Sequence, residues 1–341
     1  MTADREAWLA QTKEDALDPD LPICDPHHHL WDRPNSYYML REFLRDISGG
    51  HNVVRTVYVE CAAMYRKDGP QPMRPVGETE FAQGIAARSA GGQYGPAAVA
   101  AGIVSHADLT LGAVVSPVLA AHVRAGHSRF RGIRYQNAWD ASSDIQNART
   151  KPHRQLFADP KFQEGFACLQ NYDLSFDAWL YSPQLPDVVG LANMFPQTTI
   201  VLDHGGTPLG TGPYTDKREE VFGLWKDSIA ALAACPNVVV KLGGLAMPIC
   251  GFEWETQEKP PTSQQLADAT ARYYLHCIDQ FGADRCMFES NFPVDKLSCS
   301  YTVLWNSFKR ITQDLSPPDR AALFHDTATR VYRLADQRPT Y

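Results

Sequence analysis

Two imidazoles one residue apart, His27 and His29 in Ile23-Cys24-Asp25-Pro26-His27-His28-His29-Leu30-Trp31, are spaced to act together. On an extended strand side chains alternate with period two, so His27 and His29 face one way and His28 the other. Neutral imidazoles converging from one face can hold a divalent ion or a substrate. The flanking Leu21-Pro22-Ile23-Cys24 and Leu30-Trp31 are apolar, which sets the run inside a folded element rather than in a polar tag-like tract.

A third imidazole stands far along the chain. His204, in Ile200-Val201-Leu202-Asp203-His204-Gly205-Gly206, closes a strongly apolar run, where a polar side chain is costly unless it finds a partner. With His27 and His29 it gives three nitrogen donors, a set that suits Zn²⁺ or a similar divalent metal and leaves a position open for water. Chemistry without a metal is the alternative. Arg134, in Phe130-Arg131-Gly132-Ile133-Arg134-Tyr135-Gln136, offers a planar fork for a carboxylate or a polarised carbonyl oxygen, unless an ion pair with Asp140 or Asp144 uses it. Gly132 and Gln136 share its face and leave room for a ligand; Tyr135 adjoins it, and Trp31 and Trp179 are candidate apolar walls of a pocket.

What must position these groups is a series of short buried strands. Apolar runs bounded by turn residues predict strands at 21–29, 53–60, 97–104, 130–136, 174–180, 198–204, 236–243 and 285–292. Amphipathic stretches at 111–125, 184–195, 218–234, 263–281 and 301–311, and a last helix over 317–334, lie between and after them. Strands this apolar, alternating with helices and eight in number, predict a (β/α)₈ TIM barrel, one domain with inserted loops. A doubly wound open sheet is the alternative, but the glycine-rich phosphate turn it wants after an early strand is missing. Ser316-Pro317 and Ser263-Gln264-Gln265-Leu266 read as helix starts, and 67–75 and 250–261 as inserted loops. In a barrel the reacting groups stand at the C-terminal ends of strands. That rule collects His27 and His29, then Glu60, His106, Arg134, Asp177, His204, Lys241, and finally Glu289 with Asn291; His106 and Asp177 join Arg134 as substrate contacts.

Composition narrows the setting. The chain has 341 residues, 44% hydrophobic and 21% charged, which is enough to bury a substantial core, with a barrel at 21–334, an N-terminal extension at 1–20 and a C-terminal tail at 335–341. A formal charge of -7 without a Lys/Arg cluster argues against a nucleic-acid partner. No uninterrupted apolar stretch reaches the ~20 residues of a membrane span and the polar start carries no secretory pattern, so a cytoplasmic protein is expected, with no membrane partner. The eight cysteines are scattered singly and read as buried reduced thiols. Partners are then a small-molecule substrate and, through exposed helix faces, a homo-oligomer.

The opening Asp25-Pro26-His27-His28-His29-Leu30-Trp31 resembles the amidohydrolase superfamily, in particular the branch whose lactonase-like members begin Asp-x-His-x-His-Leu-Trp. The likeness continues through Phe130-Arg131-Gly132-Ile133-Arg134, Leu202-Asp203-His204-Gly205-Gly206-Thr207-Pro208, Val240-Lys241-Leu242-Gly243-Gly244-Leu245 and Met287-Phe288-Glu289-Ser290-Asn291-Phe292-Pro293. It implies a barrel hydrolase, often of sugar-derived or aromatic-catabolite lactones, with decarboxylases and hydratases among its relatives. It also implies, in some members, one divalent metal on the first-strand histidines, the sixth-strand histidine and an eighth-strand aspartate. Here that aspartate is Asn291, whose amide has no usable basicity and is a weak metal ligand. Glu289, two residues earlier and so on the same strand face roughly 6 to 7 Å deeper, is the expected replacement, with Lys241 as its ion-pair partner and Glu60 as the rival carboxylate. The resulting expectation is a hydrolase that opens a lactone or related cyclic ester of a small carboxylated or aromatic-derived substrate by direct attack of water. Arg134 and the histidines would stabilise the oxyanion, and Glu289 or Glu60 would take the proton. No Gly-x-Ser-x-Gly elbow is present. A metal-dependent decarboxylase or hydratase, and a catalytically silent binding barrel, are the competing readings.

Overall fold

Eight parallel strands follow one another in chain order: β1 (Pro22–His28), β2 (Asn52–Val59), β3 (Ala98–Ser105), β4 (Phe130–Gln136), β5 (Ser175–Trp179), β6 (Ile200–Leu202), β7 (Val238–Leu242) and β8 (Cys286–Phe288). The circle closes between the last and first strands by a bridge from His28 to Phe292, where His29 N donates to Phe292 O (2.7 Å) and Asn291 N to His27 O (2.9 Å). Parallel neighbours need a crossover, and each has its helix: α1 (Leu40–Ile47), α2 (Val76–Ala90), α3 (Ser116–Gly126), α4 (Pro160–Ala167), α5 (Leu185–Met194), α6 (Arg218–Ala233), α7 (Ser263–Phe281) and, after β8, α8 (Tyr301–Ile311). This computed structural model describes residues 3–334; positions 1–2 and the tail expected at 335–341 lie outside the described residues.

Strand parity divides the core into two. Outward residues such as Ile23, Tyr58, Ile103, Phe176, Leu202 and Phe288 pack against the helices. Inward residues Cys24, Val57, Val59, Val104, Val201, Val239 and Met287 fill the barrel itself, and Ala328, Val331, Tyr332 and Leu334 of the last helical stretch plug its N-terminal end. That stretch was expected as one helix; it is α-helical over Pro317–Ala321, widens to a π turn over Ala322–Asp326 and resumes over Thr327–Val331. The plug fills the lower end of the barrel and leaves the C-terminal mouth to carry a site. The N-terminal segment is fastened over the 250–261 insertion, with Trp8 Nε1 donating to Gln257 O (3.0 Å) and Thr12 Oγ1 to Pro260 O (2.7 Å).

Two local expectations need correction. β6 and β8 stop at Leu202 and Phe288, because His204 (φ 58°) and Asn291 (φ 54°) adopt left-handed backbone that no strand accommodates. The helix expected from 111 begins only at Ser116; Gly112 (φ 66°) breaks the segment before it into a tight 3₁₀ turn. By length and hydropathy the run Leu109–Arg129 could cross a membrane, but Leu109, Val115, Val118 and Leu119 are packed into the core. α7 starts at Ser263 as expected, capped by Thr262: Gln265 N donates to Thr262 Oγ1 (3.2 Å) while Thr262 N donates to Gln265 Oε1 (2.8 Å). Ser316 does cap the next helix, accepting from Asp319 N (3.3 Å), and all eight cysteines are buried and free.

Candidate active site

Directly above the apolar filling, the inward positions turn charged. Two residues past Gly132, Ser175, Val201, Val239 and Met287 stand Arg134, Asp177, Asp203, Lys241 and Glu289, all essentially buried. Five ionisable groups in one dry layer are tolerable only if they answer one another. Lys241 Nζ donates to Asp177 Oδ2 (2.7 Å) and lies 3.0 Å from Asp203 Oδ1, and Tyr332 OH from the plug also donates to Asp177 (2.6 Å). The expected Lys241–Glu289 pair is therefore not formed; lysine leans towards β5 and β6, and Glu289 turns the other way. Asp177, expected as a substrate contact, lies in this floor on Lys241 and Tyr332 and is not part of the cleft lining described below.

Glu289 answers two imidazoles instead. His204 donates to Oε1 through Nδ1 (2.6 Å) and its backbone N (3.0 Å), and His27 Nδ1 lies 2.7 Å from Oε2, out of line for a hydrogen bond. Burial raises the Glu289 carboxyl, but its interactions with the His204 ring and then the His27 ring outweigh burial and hold it well below the usual carboxylate range. Burial lowers His204, and the Glu289 charge overturns that, so the ring titrates above its ordinary value. His27 is driven well below the ordinary range by burial and by Lys241, and His29 by burial and by Arg134. Gly244 makes room for this arrangement: at φ 70° a Cβ there would lie 2.5 Å from His204 Cγ.

His27 and His29 do converge, with Nε2 atoms 3.3 Å apart, while His28 turns outward to stack on Phe43 at 4.1 Å. His29 gives its Nδ1–H to Val59 O (2.7 Å), so its Nε2 carries the lone pair. Two nitrogen ligands of a tetrahedral ion at ~2.0–2.1 Å stand about 3.3 Å apart, so this pair fits a divalent metal. Among the described residues the tightest donor grouping is His27, His204 and Glu289, within 4.8 Å of one another, which brings a carboxylate into a set expected to be three imidazoles.

Arg134 joins this cluster to an open cleft. Its Nε donates to Glu60 Oε1 (2.9 Å), Nη2 donates to the Glu60 carbonyl, and Nη1 lies 3.4 Å from His27 Nε2; neither Asp140 nor Asp144 is its partner. Glu60 also accepts from Gln136 Nε2 (2.7 Å) and Arg149 Nη2 (2.8 Å). Burial alone would raise Glu60, but Arg134 and then Arg149 bring it down to about 2, leaving an ionised group without appetite for a proton. Beyond Glu60 opens a cleft of about 480 Å³, walled by Tyr65, His106, Tyr135, Arg149 and, from the 67–75 insertion, Gln71 and Arg74.

The remaining expectations divide. Tyr135 and His106 line the cleft, and Trp31 stacks 6.1 Å from His29 with its Nε1 held by Ser36 (2.9 Å). Trp179 packs with Ile145, Tyr181 and Leu209 away from the cleft lining. Asn291 was expected on the face of Glu289; the left-handed turn instead directs its Nδ2 to Asp295 Oδ1 (2.9 Å). Asp295 is fully buried, and burial pushes it up to about 7 although His204 pulls the other way. Sequence reasoning missed Asp295, Asp203, Tyr65 and Arg149. Asp203 was recoverable, since period two from Val201 makes it, and not His204, the inward residue. Arg149 and Tyr65 come from irregular loops that carry no periodic signal.

With this geometry in view, comparison with known proteins is informative. A sequence profile of the amidohydrolase family matches residues 24–334. Uncharacterized protein y4mH of Sinorhizobium fredii is 32% identical over 337 residues, 92% of this chain and 99% of its own. An L-fucono-1,5-lactonase of Burkholderia multivorans is 30% identical over 214 residues, 61% of this chain and 64% of that one. Among solved structures, an amidohydrolase of Burkholderia multivorans determined with bound zinc superposes with a TM-score of 0.70 at 25% identity, covering 92% of this chain and 99% of its own.

Proposed function

Because the chain belongs to the amidohydrolase family and is a hydrolase, we propose that it opens the ring of a small polar lactone by direct addition of water. One observation carries the mechanism: Glu289, ionised and sealed from solvent, receives the Nδ1–H of His204 at 2.6 Å. That bond fixes the tautomer, leaving the lone pair on His204 Nε2, and the carboxylate makes the ring a stronger base. Glu289 then acts through the imidazole and not on water itself, since it is fully buried and committed to the two rings.

In this reading His204 Nε2 takes a proton from water as the oxygen adds to the lactone carbonyl. The Arg134 guanidinium, fixed on two sides by Glu60, faces the developing oxyanion from beside His27. Collapse breaks the ring C–O bond, and the same His204 proton passes to the departing alkoxide. Water is consumed, and a hydroxy acid is formed that ionises and releases one proton. His27 and His29, whose rings converge, would be the residues to hold a divalent ion. Such an ion supplies Lewis-acid polarisation of the carbonyl when bound. The cleft beyond Glu60 receives the rest of the substrate; Gln71, Gln136, Tyr65, Tyr135 and Thr150 line it with groups that suit a hydroxylated ligand. The relative named L-fucono-1,5-lactonase supports the same reaction class.

Purified enzyme presented with a panel of sugar-derived and aromatic-derived lactones, before and after chelation, should release one proton per ring opened. Evolution of CO₂ from aromatic acids with every lactone untouched would replace this reading by decarboxylation.

A further inference from the structure

A second cleft, of about 530 Å³, lies at the opposite end of the barrel beside the plug, between the first residues of β2, β3 and β4 and the end of α2. Four arginines line it, Arg55, Arg129, Arg131 and Arg333, with no acidic residue among the described lining. In a chain of formal charge -7 this is a local excess of positive charge that the overall composition opposes. Much of the remaining wall is small and apolar, as at Ala86, Pro96 and Val99.

Backbone oxygens hold Arg131 and Arg333 in place without cancelling their charge. Arg131 donates through Nη1 to Phe130 O (3.1 Å) and through Nη2 to Arg333 O (3.2 Å), while its Nε is buried with no hydrogen-bond partner among the described residues. Arg333 Nη2 donates to Asp173 O (2.7 Å) and to Arg131 O (3.3 Å). The Asp173 carboxylate approaches Arg333 Nε at 3.5 Å, but it is 86% exposed, so water screens it. Burial and then Arg333 push Arg131 below its ordinary value; Asp173 opposes them and Arg129 adds to them. Arg55 Nη1 donates to Leu334 O (2.6 Å), which fastens the plug to the cleft wall.

Like charges gathered in a half-buried cleft cost folding free energy unless an anion joins them. We propose that this cleft binds a small organic dianion, its charged head on the Arg131 and Arg333 guanidinia and its apolar body against Ala86, Pro96 and Val99. The guanidinium fork matches the oxygens of phosphate and carboxylate alike, and the volume suits a small ligand. A phosphate monoester and a dicarboxylate share this chemistry. Arg55 precedes Glu60 by five residues, roughly 16 Å of extended chain, so the ligand does not meet the reacting groups and the inference is independent of the lactone-opening reading.

The test is calorimetric titration of the full chain with phenyl phosphate, phthalate and inorganic phosphate at about 0.15 M salt. Phenyl phosphate or phthalate should bind at one site per chain with Kd below about 1 mM, and whichever binds identifies the head group. Inorganic phosphate should bind about ten-fold more weakly, because it has no apolar body to bury. Arg131→Gln and Arg333→Gln should each weaken binding about ten-fold. Without ligand, their melting temperatures should stay level or rise, because a repulsion is relieved; a cluster that serves only the fold would instead lose stability and leave binding untouched. Asp336, two positions after Leu334 in the sequence and outside the described residues, is the chain's own rival carboxylate. Binding by Asp336→Asn with none by the wild type would assign the guanidinia to the tail and overturn the proposal. Absence of binding in both proteins, or affinity unchanged in both arginine variants, overturns it equally.

Discussion

Around β1, β6 and β8 the polar groups are sealed: His27, His29, His204 and Glu289 are at most 3% exposed, and three of the four contacts that fix them lie at 2.6–2.7 Å. Across the mouth, around β2 to β4, groups of the same chemical types border a 480 Å³ cleft, and Arg149 keeps 42% of its side chain in solvent while touching Glu60. The first side cannot adjust without breaking a buried contact, whereas the second can change residues at little cost. Such a division suits an enzyme whose reacting groups must be held within fractions of an ångström while its substrate contacts vary. Arg134 spans the two, bonded to Glu60 on one hand and beside His27 on the other.

The comparison is broken most severely at Glu289. Glu289→Gln keeps the shape but removes the charge that sustains the His204 base, and kcat should fall about 10³-fold with little change in KM. A steady-state assay on the best lactone decides this. Retention of wild-type kcat would mean that the sealed side is scaffold and that the chemistry sits in the cleft.

Next comes Lys241, which touches no substrate in the proposed reaction but underlies the sealed side. Lys241→Met leaves Asp177 and Asp203 buried without their shared counter-charge, and should cost about 3–5 kcal/mol of unfolding free energy in urea titrations. Arg149→Met, across the mouth, should cost under ~1 kcal/mol in the same measurement because water replaces what is lost.

Much of this plan was legible before the structure, and the failures share a cause. Eight apolar runs between helices predict the barrel, because burial of strands on both faces leaves a plain signature, and the His27/His29 spacing predicts their convergence. Period two fails where the backbone leaves the strand. His204 and Asn291, both left-handed, were placed on strand ends, and the extrapolation from Glu289 to Asn291 consequently put Asn291 on the wrong face and hid Asp295. Lys241 was paired with Glu289 because adjacent strands suggest it, yet two acidic residues on the other side, Asp177 and Asp203, outbid one. Arg149 lies in an irregular stretch after β4, where nothing in the local pattern marks a residue that folds back onto Glu60.

A smaller effect separates the two sides by pH. Glu60 is depressed to about 2 when folded against about 4.5 when unfolded, so its contribution to stability is complete above about pH 4.5 and is lost as the pH falls towards 2. Glu60→Gln should lower the urea midpoint at pH 7, and the gap to wild type should narrow steadily between pH 4.5 and pH 3. A gap independent of pH would show that Glu60 contributes packing and not charge.

The smallest expected change is Arg149→Gln, and it bears most directly on the contrast. The guanidinium reaches Glu60 Oε2 at 2.8 Å and Cys61 O at 2.7 Å, yet it is nearly half exposed, so its pair is screened and worth little to the fold. Its place on the cleft wall gives it a part in holding substrate, which is felt equally in ground and transition states. KM should therefore rise a few-fold, about 3 to 10, with kcat within two-fold. Glu60 keeps Arg134 and Gln136, so the oxyanion side stays in register. A fall in kcat with KM unchanged would place Arg149 among the groups that meet the transition state, and the boundary between the sealed and open halves would then have to be redrawn through Glu60.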